Sequence, residues 1–295
     1  MFCLCSRVSM ANNNFGGKHT ETKLETVADY LNFYTKALKD KGFRLRYFDA
    51  FAGTGHMNNM TDLPLLNEGK EIEVMEGSTK RSLEIQYPFA DYRFVEKSKS
   101  KATKLREMVS NFPTLEPRVS ILTTDAVTEL RVFCDDLGPK DRAVIFLDPC
   151  GGQVTFEILE VIANTHKVDL WYLFPSGLNV VRQIRKDGTP VPDAVQNINA
   201  LFGTDDWLDE FVSHRTEPGL FGLLNTTERE VNADAVTRYM IKRMNTVFKG
   251  GVLDSWLPLG KGNGQWYSLL FACANPQHNA NQLAKKVAKQ IMSKK

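Results

Sequence analysis

"RLRYFDAFAGTG", residues 44–55, decides how the chain folds. An alternating apolar run reaches Asp49 and passes at once into Gly53-Thr54-Gly55. A strand that runs into two glycines delivers a ligand to the carboxyl edge of a parallel sheet, because glycine lets backbone approach the ligand closely. A dinucleotide site would ask for a third glycine in G-x-G-x-x-G. Here Gly55 is followed by His56-Met57-Asn58, so the pair by itself is equally a plain strand-to-helix turn.

Working outward, short apolar runs alternate with amphipathic ones. Helices are expected over 25–42, 77–89 (with Ser78 as N-cap), 98–112, 127–138 and 155–165. Strands are expected over 44–51, 91–97, 118–126, 142–152 and 168–177. Five strand–helix units in series mean a parallel sheet covered on both faces, and right-handed crossovers make it doubly wound. A helical insertion is expected over about 178–248, with two short helices broken at Gly203. Two strand-like runs then flank "GKGNGQ" (260–265), which reads as a hairpin, and a basic helix closes the chain. The expected fold is therefore α/β. It is a doubly wound, mostly parallel seven-stranded sheet with a C-terminal antiparallel hairpin, the shape of the class I methyltransferase fold. Residues 18–295 are expected to form one domain, residues 1–17 a disordered lead with Met10 as an alternative start, and the polar stretch 58–76 a mobile loop.

Composition narrows the classes. The chain has 295 residues, and its 37 Lys+Arg against 35 Asp+Glu leave a net charge of +2, so bulk charge does not select a nucleic-acid partner. The basic residues are gathered locally, in "KSKSKATKLR" (97–106), "VVRQIRK" (180–186), "TRYMIKR" (237–243) and the tail "KKVAKQIMSKK" (285–295), and any one of these runs reads first as a solvated helix face. No window approaches the ~20 apolar residues of a membrane span, and the opening ten residues lack a secretory pattern. The five cysteines are scattered, with no Cys-x-x-Cys spacing and no clustered histidines. That argues against a disulfide framework or a zinc site and fits a reducing cytoplasm.

Each strand end carries a polar group. Glu96 ends the second strand, where an acid can accept both hydroxyls of a ribose or, alternatively, cap the next helix. Asp125, before Ala126, ends the third and can accept from an adenine amine or serve as a helix N-cap. The fourth ends in Asp148-Pro149-Cys150-Gly151-Gly152, which puts a carboxylate at the lip of the sheet.

Taken together, "DAFAGTG", "FVEK", Asp125 and "IFLDPCGG" resemble the S-adenosylmethionine-binding and catalytic motifs of Rossmann-like methyltransferases, above all the amino-methyltransferase branch. "KHTETKLETVADYL" (18–31), "EGST" (76–79), "PSGLNVVRQ" (175–183) and "WYSLLFACANP" (266–276) extend the likeness over about 18–290. In this order and spacing the chain is similar to the three-Cys-motif partner (TcmP) family of prokaryotes and their phages. The resemblance implies a methyltransferase fold that binds S-adenosyl-L-methionine through Asp49, Phe51, Gly53, Gly55, Ser78, Glu96, Asp125 and Ala126. It implies Asp148 and Pro149 as the catalytic pair, no metal, and association with a three-Cys-motif protein.

The motif Asp-Pro-Pro-Tyr is replaced by Asp148-Pro149-Cys150-Gly151, so the aromatic that would stack on a flipped base is missing. Phe174 or Trp171 is the candidate substitute. Cys150 invites comparison with a cytosine-5 nucleophile, but no positive neighbour in the sequence activates it. Asn179, Arg182 and Arg185 follow the fifth strand and are placed to meet a nucleic-acid backbone. The function expected is methylation of a nucleobase exocyclic amine in DNA or RNA. A binding module without transferase activity and a small-molecule or protein methyltransferase are the alternatives.

Overall fold

The computed structural model describes residues 18–53, 56–58, 74–149, 153–185, 187–219, 222–229, 231–261 and 264–295. The expected lead (1–17), Gly55, Cys150 and most of the 58–76 stretch lie outside them. In chain order the elements begin with α1 (Lys18–Leu38), β1 (Arg44–Asp49), β2 (His56–Asn58), β3 (Val74–Glu76), α2 (Ser78–Leu83), β4 (Asp91–Val95) and α3 (Lys99–Val109). They continue with β5 (Val119–Leu122), α4 (Ala126–Asp135), β6 (Asp141–Leu147), α5 (Phe156–Asn164), β7 (Val168–Phe174) and α6 (Ser176–Asn179). The last are α7 (Pro192–Phe202), α8 (Trp207–Phe211), β8 (Val212–Gly219), β9 (Gly222–Arg229), α9 (Ala233–Asn245), β10 (Leu257–Lys261), β11 (Gly264–Cys273) and α10 (His278–Met292).

Seven strands form one sheet in the order β10-β11-β7-β6-β1-β4-β5. β1 pairs in parallel with β4 on one side and β6 on the other, and β7 and β5 extend the parallel array. β11 runs antiparallel to β7, and β10 folds back on it. This is the doubly wound, mostly parallel seven-stranded sheet with a C-terminal antiparallel hairpin expected from the sequence. Its central parallel strands are buried on both faces, all seven residues of β7 among them. Period-two alternation sends Phe48, Ile145, Leu170 and Leu270 into a core under α4, α5, α7, α8 and α9. It sends Tyr47, Phe146, Trp171 and Phe271 into a second core under α1, α2, α3 and α10.

Three expectations need correction. The first helix begins by Lys18 rather than at 25, and the second ends at Leu83, because the chain turns there toward Pro88. The insertion is not helical throughout: β8 and β9 pair as an antiparallel hairpin from Val212↔Arg229 to Gly219↔Gly222. Pro218-Gly219 is a turn signal that breaks any helix through this stretch. Among the described residues no helix is long and apolar enough to cross a membrane.

At the end of the sheet opposite the glycine turn, Asp169 is buried beneath α1 and accepts from the Tyr30 hydroxyl at 2.6 Å. Burial pushes its carboxyl up to about 6, against the opposing hydrogen bonds from Tyr30 and Cys273. A folded-state value above the unfolded one means the native chain holds a proton that the unfolded chain has released. This group's contribution is therefore full below about pH 4 and is lost as pH rises through about 6. Asp169→Asn should remove that fall. In urea unfolding, the variant's stability relative to wild type should rise by on the order of 2–3 kcal/mol between pH 4 and pH 7. A pH-independent difference would refute the assignment.

Candidate functional site

The site lies where strand order reverses, between β1 and β6. The chain leaving β1 is stitched to both neighbours: Ala50 N–H donates to Phe146 O at 3.2 Å and Ala52 N–H to Val95 O at 3.0 Å. Asp49 organises the turn, since its Oδ1 accepts from Phe51 N–H at 3.1 Å. Gly53 then adopts φ +64°, and a Cβ built there would meet nothing within 4 Å. The turn thus uses glycine for its backbone angle rather than for want of space. Gly53→Val should cost about 1–2 kcal/mol in urea unfolding through backbone strain. Gly53→Asn should cost clearly less, because asparagine tolerates this region. Equal losses would mean that crowding, not backbone angle, selects the glycine.

Register brings three acids together. Asp49 pairs with Phe146 on β6 and with Phe94 on β4, and Asp148 and Glu96 each stand two residues beyond those partners. Asp49 is fully buried, and its Oδ2 accepts from the Ser78 hydroxyl at 2.6 Å. Burial pushes its carboxyl up to about 6; the Ser78 and Phe51 hydrogen bonds oppose that, nearby Asp148 adds to it, and Lys23 opposes it. Ser78 is therefore not the N-cap of α2. Gly77 holds that position, and the Ser78 side chain turns to Asp49 instead.

Asp148 forms an ion pair, through Oδ2, with Nζ of Lys23 on α1. Lys23 is buried, and the Asp148 side chain keeps a quarter of its surface exposed. The sequence reading missed this lysine. Its signal was present: Lys23 precedes Val27, Tyr30, Leu31 and Tyr34 at helical spacing, so a cation sits on the apolar stripe that α1 turns to the core. Pro149 is buried beside Asp148.

The other expected residues fall as follows. Glu96 Oε1 accepts from Ser98 N–H at 2.7 Å, and its other oxygen takes no part in that bond. Asp125 is the N-cap of α4: its Oδ1 accepts from Val127 and Thr128 N–H at 3.1 and 3.0 Å, and from the Thr128 hydroxyl at 3.2 Å. The capping bonds all run to Oδ1, leaving Oδ2 outside the cap. Ala126 opens α4 and Phe51 is half-buried against the core. Phe174 does not stand on a rim. It is fully buried with its ring 5.8 Å from Tyr172 and 6.3 Å from Phe202. Trp171 is likewise core, 5.4 Å from Tyr30 and 4.9 Å from Phe271. Both rings lie on a strand buried on both faces, which leaves no room for a stacked base. Asn179 ends α6, and Arg182 and Arg185 are exposed in the turn that follows. Among the described residues no group of three or more His, Cys, Asp or Glu could hold a metal ion.

No family model and no curated protein matches the chain. Solved structures do. LPL1258 from Legionella pneumophila, described with the family label DUF519, is 16% identical over 95% of this chain and 93% of its own, at a TM-score of 0.53. That likeness is one of fold. Magnesium protoporphyrin IX methyltransferase from Synechocystis, solved with bound SAH, is 12% identical over 90% of each chain at a TM-score of 0.39. An rRNA methylase from Streptococcus thermophilus is 11% identical over 70% of this chain and 96% of its own, at 0.32.

Proposed function

We propose that the chain is an S-adenosyl-L-methionine-dependent methyltransferase whose acceptor is an exocyclic amine of a nucleobase in DNA or RNA. The observation that carries the reading is the row of acids at the switch point, with Asp148 and Glu96 each two residues beyond the register partners of buried Asp49.

The residues fit the methyl donor. Open space at Gly53 admits a ligand against the turn, Glu96 keeps an oxygen for ribose hydroxyls, and Asp125 keeps one for an adenine amine. When bound, S-adenosylmethionine would supply an electrophilic methyl on a sulfonium, the methyl's C–S bond breaking as the N–C bond forms so that the donor leaves as a neutral thioether, while the proton the amine sheds would pass to the Asp148 carboxylate and on to water. The protein's share is positioning. A ring amine is a poor nucleophile because its lone pair is delocalised. Asp148 and the Pro149 carbonyl accept its two N–H groups and hold the lone pair toward the methyl group. Lys23 pairs with Asp148 Oδ2, and in this reading Oδ1 is the oxygen that accepts from the amine. Exposed Arg182 and Arg185 serve a phosphate backbone, and a base within a duplex would be flipped out at a cost of a few kcal/mol.

The Lys23–Asp148 pair also favours a second reading. In it, Asp148 is held for structure, and the protein binds the methyl donor or nucleic acid as the partner of a three-Cys-motif protein. Tritiated-methyl transfer to DNA, RNA, protein and small-molecule pools separates the two. Label in a nucleic-acid pool supports the first, and label only in protein or small molecules identifies a different transferase. No label in any pool, despite normal binding of S-adenosylmethionine, supports the second.

A further inference from the structure

The basic stretch 97–106 has no part in the site described above. α3 buries Ala102, Leu105, Met108 and Val109 and leaves Lys97, Lys99, Lys101 and Lys104 exposed. None of the four has an ion-pair partner among the described residues. Arg106 differs, since it already donates to Ile121 O and the Thr123 hydroxyl at 3.4 Å. The placement works against the helix. Lys99 and Lys101 stand in its first turn, which contains no acid, and Lys97 lies just before it. Cations there oppose the positive end of the helix dipole, and Lys101 and Lys104 repel each other at i,i+3. On the opposite face, α4, α5, α7 and α9 do the reverse and carry Glu129, Glu157, Asp193 and Asp234 in their first turns.

α3 begins at the carboxyl edge, directly after Glu96, on the strand next to β1. Neighbouring strands are about 4.8 Å apart and β1 lies between β6 and β4, so the start of α3 is on the order of 10 Å along the sheet edge from Asp148, a span of a few nucleotides. The helix shows no apolar residue on its exposed face, which argues against a membrane surface or a packed protein interface. Flexible ammonium groups without a directional fork suit phosphates read by charge alone.

We infer that the cluster of exposed lysines around the N-terminal end of α3, Lys97 just before it and Lys99, Lys101 and Lys104 within it, is a docking surface for the phosphodiester backbone of the nucleic-acid acceptor. It lies on the opposite side of the sheet edge from Arg182 and Arg185. This inference rests on the reading of the acceptor as nucleic acid. The surface binds without sequence preference and positions the strand.

The test is fluorescence anisotropy with labelled 20-nucleotide single-stranded RNA and DNA of mixed sequence. Wild type is compared with a variant carrying Lys97→Gln, Lys99→Gln, Lys101→Gln and Lys104→Gln, over a potassium chloride series. Expected is an affinity loss of about 10- to 100-fold at 0.1 M salt, and a log–log salt slope shallower by about 2–3. Calorimetric binding of S-adenosylmethionine should be unchanged, and the melting temperature equal or higher, since the lysines oppose the dipole. An unchanged slope overturns the inference, as does wild-type binding to anionic phospholipid vesicles that matches binding to the oligonucleotides. If wild type labels a nucleic-acid pool yet the slope is unchanged, the docking surface alone fails. If wild type neither binds nor labels nucleic acid, the acceptor reading fails with it.

Discussion

Asp148→Ala is expected to slow methyl transfer by about 100- to 1,000-fold, the loss typical of removing one preorganised hydrogen-bonding group from a reacting centre. Affinity for S-adenosylmethionine should stay within about threefold, because that ligand's expected contacts lie on Asp49, Glu96 and Asp125. Asp148→Asn separates charge from shape. It keeps an acceptor oxygen but leaves buried Lys23 without its carboxylate. If the carboxylate's charge matters, asparagine behaves like alanine; if only the acceptor oxygen matters, it retains most of the rate. Transfer within threefold of wild type in both variants would remove Asp148 from catalysis. Single-turnover kinetics with saturating methyl donor, beside calorimetric binding, makes the comparison.

Lys23→Met is expected to have the next largest effect, and on two readouts. Lys23 is buried and lies close enough to both Asp148 and Asp49 to act on their charges. Removing it takes away the cation that, among the described residues, pairs with Asp148 and holds down Asp49. Breaking a fully buried pair costs 3–5 kcal/mol, but Asp148 is a quarter exposed and water can reach it, so a loss of about 1–3 kcal/mol is expected. The sharper readout is pH. The Asp49 carboxyl is already pushed up to about 6, and Lys23 is one of the groups that hold it down. The midpoint for any step that needs ionised Asp49, methyl-donor binding included, should move to higher pH in Lys23→Met. Adding Asp148→Asn removes the remaining like charge and should bring the midpoint back down. A midpoint that does not move would mean that Lys23 acts only as packing. The double-mutant cycle gives the coupling between the two side chains directly.

Much of this architecture was legible from local pattern. The five strand–helix units, the late hairpin and the reversal point follow from alternation, glycine placement and right-handed crossovers, which are short-range properties of the chain. The same rules located Asp49, Glu96, Asp125 and Asp148 at strand ends, because a strand's last residue is where an apolar run stops. They failed in the insertion, where Val212–Gly219 pairs antiparallel with Gly222–Arg229. Strand pairing depends on a partner, and a weakly patterned segment does not announce one.

The class of sheet and the acids able to meet at its edge were already written in the order and period of residues along the chain. Only the tertiary structure decided what each polar group touches. It turned Ser78 from a helix cap into the partner of Asp49, and it sank Phe174 and Trp171 into cores where no base can stack. It also set Lys23, 125 residues away in the chain, against Asp148. The physical reason is common to all three. A side chain's charge, hydrogen bonds and exposure are fixed by packing between elements distant in sequence, and burial then forces each polar group to find whichever partner that packing supplies.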